Sequence, residues 1–277
     1  VNPEFMSQGT ALEDVRNPDR VVIGGRSKSA MDELEGFYSE FDTTVFRSST
    51  ETAEMVKYVS NALLATKISF INEVGNLCKR LDIDSYEVAD AVGMDERVER
   101  RFLDSGVGFG GSCLDKDIRA LSKLAEEMET GNRLIGTVLG VNEGQKTRIV
   151  DQLEQKVSSL EGKSIAILGL SFKPGTDDIT NSPAIDVIRR LQENGVEIKA
   201  YDPEAMDNMQ NVFPEISYQN SYQEALKSSD AALLLTDWEE FEEISRGDLK
   251  VMKSPLLLEG RRISHDAKNH SEGVTWP

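Results

Sequence analysis

Histidine and cysteine are nearly absent from this chain, whose 277 residues hold two of each. With only His265 and His270, both in a polar tail, a histidine-based triad or a histidine-rich metal site has almost no raw material, and no metal is expected. Cys78 and Cys113 fit neither a disulfide framework nor a cysteine-rich zinc site, and two thiols are ordinary for a reducing, cytoplasmic compartment. Apolar runs approaching the length a bilayer requires are also missing, so no membrane role is expected. Positive charge is scarce: 31 Lys and Arg stand against 49 Asp and Glu, for a formal net charge of -18. A surface of that sign repels polyanions, because nucleic-acid binding rests on Lys and Arg displacing counterions from phosphates. Nucleic acid is therefore not an expected partner. Acidic stretches such as Glu126-Glu127-Met128-Glu129 read as a solvated, salt-adapted surface. The opening residues Val1-Asn2-Pro3-Glu4-Phe5 have no initiator Met, basic region or apolar core of a signal peptide, and the chain reads as starting inside something longer.

What is present is a soluble, globular composition, 39% hydrophobic, in a chain long enough for one large domain or two ordinary ones. Residues 1–49 carry two short β-branched runs, at 20–23 and 43–46, around a helical pattern over 30–41. Two strands and one helix are too few for a domain, so this segment is expected to be the remnant of an N-terminal α/β domain. From residue 50 the texture is helical. Thr50 or Thr52 can cap a long, largely buried helix carrying Met55, Val59, Leu63, Ile68, Ile71, Val74, Cys78 and Leu81 at helical spacing. Shorter helices are expected over 85–92, 96–103, 115–128 and 134–160, making 50–160 an all-helical central region. From 161 to 277, short apolar runs at 164–168, 196–200, 231–235 and 255–258 alternate with amphipathic segments such as 185–193. That alternation predicts a Rossmann-like parallel sheet covered by helices, and the fold class as a whole is α/β.

The string Gly106-Val107-Gly108-Phe109-Gly110-Gly111-Ser112-Cys113 places a thiol at the start of an amphipathic helix. Unpaired amides and the helix macrodipole lower a thiol's pKa there, and glycines let backbone approach a substrate. The same string also fits a small buried Cys beside a helix-capping turn, and the two readings stand level. Cys78, between Leu77 and Leu81, reads as core. Residues 168–173 follow a buried strand as a dinucleotide turn would, but without the G-x-G-x-x-G spacing, so a second NAD site is not expected there.

Asn2-Pro3-Glu4-Phe5, Asn17-Pro18-Asp19-Arg20, Lys57 with Asn61, Gly108-Phe109-Gly110-Gly111-Ser112-Cys113 with Lys116-Asp117, and Phe172-Lys173-Pro174-Gly175-Thr176-Asp177-Asp178 resemble the UDP-glucose/GDP-mannose dehydrogenase family, in the family's order. The resemblance implies an NAD-dependent, four-electron oxidation of a UDP-sugar to its uronic acid through a thiohemiacetal and a thioester on Cys113. It implies oxyanion-stabilising roles for Lys57 and Asn61, water or proton handling by Asp117 and Glu4, and a cofactor contact from Lys116. Read as residues alone, Lys57 and Asn61 are also a solvated Lys and a polar helix position, and Asp117 a carboxylate balancing the helix dipole. Sugar-nucleotide contacts are implied for Phe102, Gly110, Phe172, Lys173 and Arg261, with Arg97 reaching a neighbouring subunit's site. The long helix should form a homodimer, and the glycine-fingerprint NAD domain should precede Val1. Three departures from the family pattern are Gln8 for a second Glu, Asp115 for Pro and Thr180 for Arg. Two further readings remain: a dimerising UDP-sugar-binding module without turnover, and a 6-phosphogluconate-like or hydroxyacid dehydrogenase with a similar Lys-bearing helix.

Overall fold

A computed structural model describes residues 1–263, 266–267 and 270–277; His265 lies outside the described residues. A short helix α1 (Ala11–Arg16) leads to β1 (Arg20–Gly24), α2 (Lys28–Phe37) and β2 (Thr44–Ser48), and the two strands pair in parallel. Val21, Val22 and Ile23 are buried where β1 packs on the helix that follows.

That helix, α3 (Thr50–Arg80), runs 31 residues, about 46 Å at 1.5 Å per residue. Its cap is Ser49, whose hydroxyl accepts from the Thr52 amide, not Thr50 or Thr52 as expected. The expectation of a largely buried helix also needs correction. The inward face does bury Ile71 and Cys78, but it is otherwise small and polar, with Asn61, Ala62, Ala65, Ser69, Asn72 and Gly75, because neighbouring segments come close. A Cβ on Gly75 would lie 2.8 Å from Thr275 Cβ and 3.0 Å from Ser105 Cβ. The large apolar residues Met55, Val59, Leu63, Phe70, Leu77 and Leu81 face outward and stay exposed.

Around α3 pack α4 (Ser85–Gly93), α5 (Ser112–Glu127) and α6 (Arg133–Lys146). No helix forms over 96–103: Glu99 and Phe102 take left-handed φ of 60° and 64°, while Arg100 pairs with Asp90 and Asp104 and Lys67 donates to the carbonyls of Val98 and Glu99. The helix expected over 134–160 is two. It breaks at Thr147, so that α6 packs on α3 while α7 (Arg148–Val157) lays Ile149, Val150 and Leu153 onto the sheet core.

The sheet is formed by β3 (Ser164–Leu168), β4 (Glu197–Tyr201), β5 (Ser217–Tyr218), β6 (Ala231–Leu234), β7 (Leu257–Glu259) and β8 (Ser271–Gly273) in the order β5-β4-β3-β6-β7-β8, all parallel. Helix α8 (Pro183–Glu193), with Pro183 in its first turn and a Ser182 cap, carries the crossover from β3 to β4. Side chains alternate across β3, with Ile165 and Ile167 in one apolar core and Ala166 and Leu168 in the other, as a sheet covered on both faces requires. The order reverses between β3 and β6, the place where doubly wound sheets open a ligand crevice at their carboxyl ends.

The last residues tie the sheet back onto the helices. Arg262 pairs in fork geometry with both oxygens of Asp84, the α4 cap, at 2.7 Å each, and lies over the rings of Tyr86 and Trp276. Burial pushes the Asp84 carboxyl upward, but the Arg262 guanidinium and the Tyr86 and Glu87 amides outweigh it and hold the group below the usual 3.8. A depressed folded-state pKa stabilises above the unfolded value and ceases to do so as pH falls through the folded one. Asp84→Asn should therefore lower stability at pH 7 by about 1 kcal/mol, since solvent partly screens the pair. The gap to the parent in denaturant titrations should close as pH drops below about 4.

Candidate active site

Residues 105–111 cross between the helical block and the sheet without helix or strand of their own. Their backbone groups are met by buried side-chain amides. Asn72 of α3 accepts from the Gly106 amide at 2.7 Å, and Gln145 of α6 donates to the Gly106 carbonyl at 2.6 Å. Asn142, one turn before Gln145, brackets Phe109, accepting from its N–H at 2.8 Å and donating to its carbonyl at 3.0 Å. From the sheet side, Val107 N–H donates to Gly260 O, and Arg261 donates to the Gly108 carbonyl. Glycine is required here for space: a Cβ on Gly106 would fall 2.3 Å from Gly260 O, and one on Gly110 2.6 Å from Asn181 O.

This backbone delivers α5 with a defined start. Gly111, at φ 81°, caps the helix without a side chain, and its N–H donates to Thr180 O at 2.7 Å, so Thr180 serves through its backbone. Cys113 sits in the first turn, exposed, its sulfur 3.8 Å from Ser112 Oγ. Of the two readings open for this thiol, the exposed one holds, and Cys78 is buried. The Cys113 sulfur lies within electrostatic reach of both Lys116 and Lys173.

One turn on, buried Asp117 accepts from Asn61 Nδ2 at 2.6 Å and pairs with Lys116 at 2.6 Å. The hydrogen bond that Lys116 donates to Asp117 raises the ammonium's pKa above its usual value. Lys57, one turn before Asn61, bonds the Glu4 carbonyl at 2.7 Å and the Glu4 carboxylate at 3.2 Å. Gln8 donates to Thr176 Oγ1, and its carbonyl receives Lys173.

Beside the thiol turn opens a cleft of about 450 Å³ at the carboxyl end of the sheet. Phe102, Phe172, Lys173 and Arg261 line it, as do Gly108 and Phe109, whereas Gly110 packs behind against Phe172. Lys173 stands 5.6 Å from the Phe172 ring centre, and burial lowers its pKa against the opposing pull of Asp14 and Cys113. Arg97 is outside the cleft, largely exposed and paired with Asp95. Sequence reasoning missed Arg101, Asp104 and Asp237 in the wall, and the amides of Asn72, Asn142 and Gln145 beneath it. Asp237 follows a buried strand's carboxyl end, and Asn142 and Gln145 stand three apart on one helix face; those were the available signals.

The turn after β1, Gly24-Gly25-Arg26-Ser27, lacks the three-glycine spacing, and Gly24 serves packing: a Cβ there would lie 2.5 Å from Ala53 Cβ and 2.7 Å from Ser49 O. No helix among the described residues is long and apolar enough to cross a membrane.

Against known proteins, residues 51–144 match the model of the UDP-glucose/GDP-mannose dehydrogenase family central domain, 166–266 that of its UDP binding domain and 1–42 that of its NAD binding domain. UDP-glucose 6-dehydrogenase TuaD of Bacillus subtilis is 42% identical over 264 residues, covering 95% of this chain and 57% of the relative. UDP-glucose 6-dehydrogenase AglM of Haloferax volcanii is 40% identical over 268 residues, covering 95% and 62%. Among solved structures, a UDP-glucose dehydrogenase from the archaeon Pyrobaculum islandicum superposes with a TM-score of 0.94 at 37% identity, over 100% of this chain and 63% of that one. The chain thus spans about three fifths of the length of the relatives it matches.

Asn61→Leu keeps the approximate volume but strips the buried Asp117 carboxylate of a 2.6 Å donor. A loss of about 2–3 kcal/mol is expected, the scale of a hydrogen bond to a buried charge, read as a lower unfolding midpoint in denaturant.

Proposed function

The chain belongs to the UDP-glucose/GDP-mannose dehydrogenase family, and from that we propose that the whole protein oxidises UDP-glucose, or a related UDP-sugar, to the uronic acid with NAD as electron acceptor. The observation that carries this reading is the exposed Cys113 in the first turn of α5, where no side chain caps the helix, next to a cleft lined by Lys173 and Arg261. Arg261 and Lys173 suit a pyrophosphate, and Phe102 and Phe172 give apolar faces for the rest of the nucleotide. The family's NAD binding domain supplies the hydride acceptor; residues 1–49 are a part of it, 50–160 a dimerising helical domain and 161–277 the UDP-sugar-binding domain.

The residues of this chain then divide the work. The Cys113 sulfur adds to the carbonyl carbon of the bound aldehyde, forming a C–S bond while the carbonyl oxygen takes up a proton. This gives a carbon that can lose hydride, which a bare aldehyde cannot easily do. Loss of that hydride to NAD and of the hydroxyl proton would leave a thioester; water attacks it, the C–S bond breaks and sulfur leaves as thiolate, regaining the enzyme's starting form. Asp117, held by Asn61 and Lys116, orients water or moves the proton one turn from the sulfur. Lys57 and Glu4, bonded to each other, place an ammonium and a carboxylate for the oxyanion and the hydrolytic water. The outward apolar face of α3 is the surface on which a second copy packs, and Arg97 is directed to that neighbour's site. By itself the 277-residue chain is a dimeric UDP-sugar-binding module without turnover, because the turn after β1 lacks the three-glycine spacing that holds a dinucleotide. We place the protein in the cytoplasm, where free thiols persist.

In the whole protein, Cys113→Ser should cut uronate formation by about a thousandfold or more. Full uronate formation by that variant would favour a hydroxyacid-dehydrogenase type of reaction, which needs no thiol. The chain alone should bind UDP-glucose in calorimetry yet form no NADH with NAD. It should sediment as a dimer, and Leu63→Glu should shift it to monomer; a monomeric parent would remove the assignment of α3 as the interface.

A further inference from the structure

Asp202 follows β4 at its carboxyl end and is fully buried, yet no cation touches it in the hydrogen-bond network described. Its Oδ2 accepts from the Leu170 amide at 2.6 Å, the Ser171 amide at 3.1 Å, the Ser171 hydroxyl at 3.3 Å and Trp238 Nε1 at 3.0 Å. Its Oδ1 accepts from the Glu204 and Ala205 amides at 2.9 and 2.8 Å. A buried carboxylate is costly unless its lone pairs are met by donors, and this one is met from three different loops.

Two of those loops are walls of the cleft. Leu170 and Ser171 come directly before Phe172, Lys173 and Pro174, while Trp238 comes directly after Asp237. The carbonyls of the same two residues are also held by side chains: Ser182 donates to Leu170 O and Thr236 to Ser171 O, both at 2.7 Å. Backbone at 170–171 therefore makes no ladder bond, and its groups are fixed by Asp202 on one side and by two hydroxyls on the other. Gly169 makes the approach possible, since a Cβ there would lie 2.5 Å from Thr236 N. Open parallel sheets hold ligands at this crevice, but no ligand atom can reach Asp202, which is 0% exposed.

We infer that Asp202 is a positioning residue, an internal anion that locks the loops after β3 and β6 to each other and thereby sets the separation of Phe172 and Lys173 from Asp237. The inference rests on the reading that this cleft takes the nucleotide of a UDP-sugar, and deepens it: recognition of that nucleotide depends on a carboxylate that never touches it. In Asp202→Asn, whichever oxygen becomes the amide nitrogen meets at least two N–H groups head-on. Trp238→Phe keeps an aromatic ring and removes a single donor, so it serves where the first variant fails to fold.

The test uses the 277-residue chain, with UDP as the probe, well below each variant's unfolding midpoint. Hydrogen exchange at 170–174 and 235–238 should accelerate about tenfold or more in both variants, with α3 and α5 unchanged, the scale of one charge-assisted hydrogen bond. Calorimetry should show UDP binding weakened by a similar factor. Unchanged UDP affinity in folded variants, or exchange that speeds up evenly across the chain, overturns the inference. A parent chain that ignores UDP overturns the nucleotide-sugar reading on which it rests, and is recognised because the loss is then present before any substitution.

Discussion

Backbone that has left both helix and sheet must still have its amides and carbonyls satisfied, and at 105–111 the protein meets this with buried side chains. Asn72, Asn142 and Gln145 stand in for a strand neighbour, and Gly260 and Arg261 complete the set from the sheet side. The segment is consequently held by α3, α6 and the end of β7 together. Leaving any one of these buried backbone groups unpaired costs about 1–3 kcal/mol, which is why polar residues occupy positions on α3 and α6 that pattern alone would assign to core.

Everything proposed about chemistry is downstream of that segment. Its last glycine sets the start of α5, so Cys113 and Asp117 share a helix face one turn apart, and its first residues set where Arg261 enters the cleft. The C-terminal segment closes the arrangement: Ser105 Oγ lies 2.9 Å from Ser85 and 2.8 Å from Thr275, and Trp276 packs on Gly273 and Tyr86. Helical block and sheet are thus joined by polar contacts of fixed geometry as well as by the apolar face that α7 lays on the sheet.

Much of the architecture could be read from residue pattern because its signals are local. The apolar runs of β3 and β6 and the stripes of α3 and α8 each carry their own period. Strands β5 and β8 were not expected, since Ser217–Tyr218 and Ser271–Gly273 are too short to show a period and exist only because a neighbouring strand pairs with them. The turns at 96–103 look helical by pattern, but Glu99 and Phe102 take left-handed φ, which an apolar period does not encode. At the site, the thiol turn was legible from the glycine string, and Phe102, Phe172, Lys173 and Arg261 of the cleft wall from the family resemblance. The partner of Lys57 was not, because Glu4 is 53 residues away. Asp202 was invisible for a similar reason: its donors are spread across three loops.

In the proposed reaction the Cys113 sulfur faces the sugar end of a nucleotide sugar whose other end lies in the cleft beside Lys173 and Arg261. The most direct measurement is the rate of Cys113 alkylation by iodoacetamide in the presence of saturating UDP-glucose, compared with saturating UDP. The account predicts strong protection by UDP-glucose and little by UDP, because only the sugar reaches the thiol. Equal alkylation rates with and without UDP-glucose, at concentrations where calorimetry shows it bound, would contradict it.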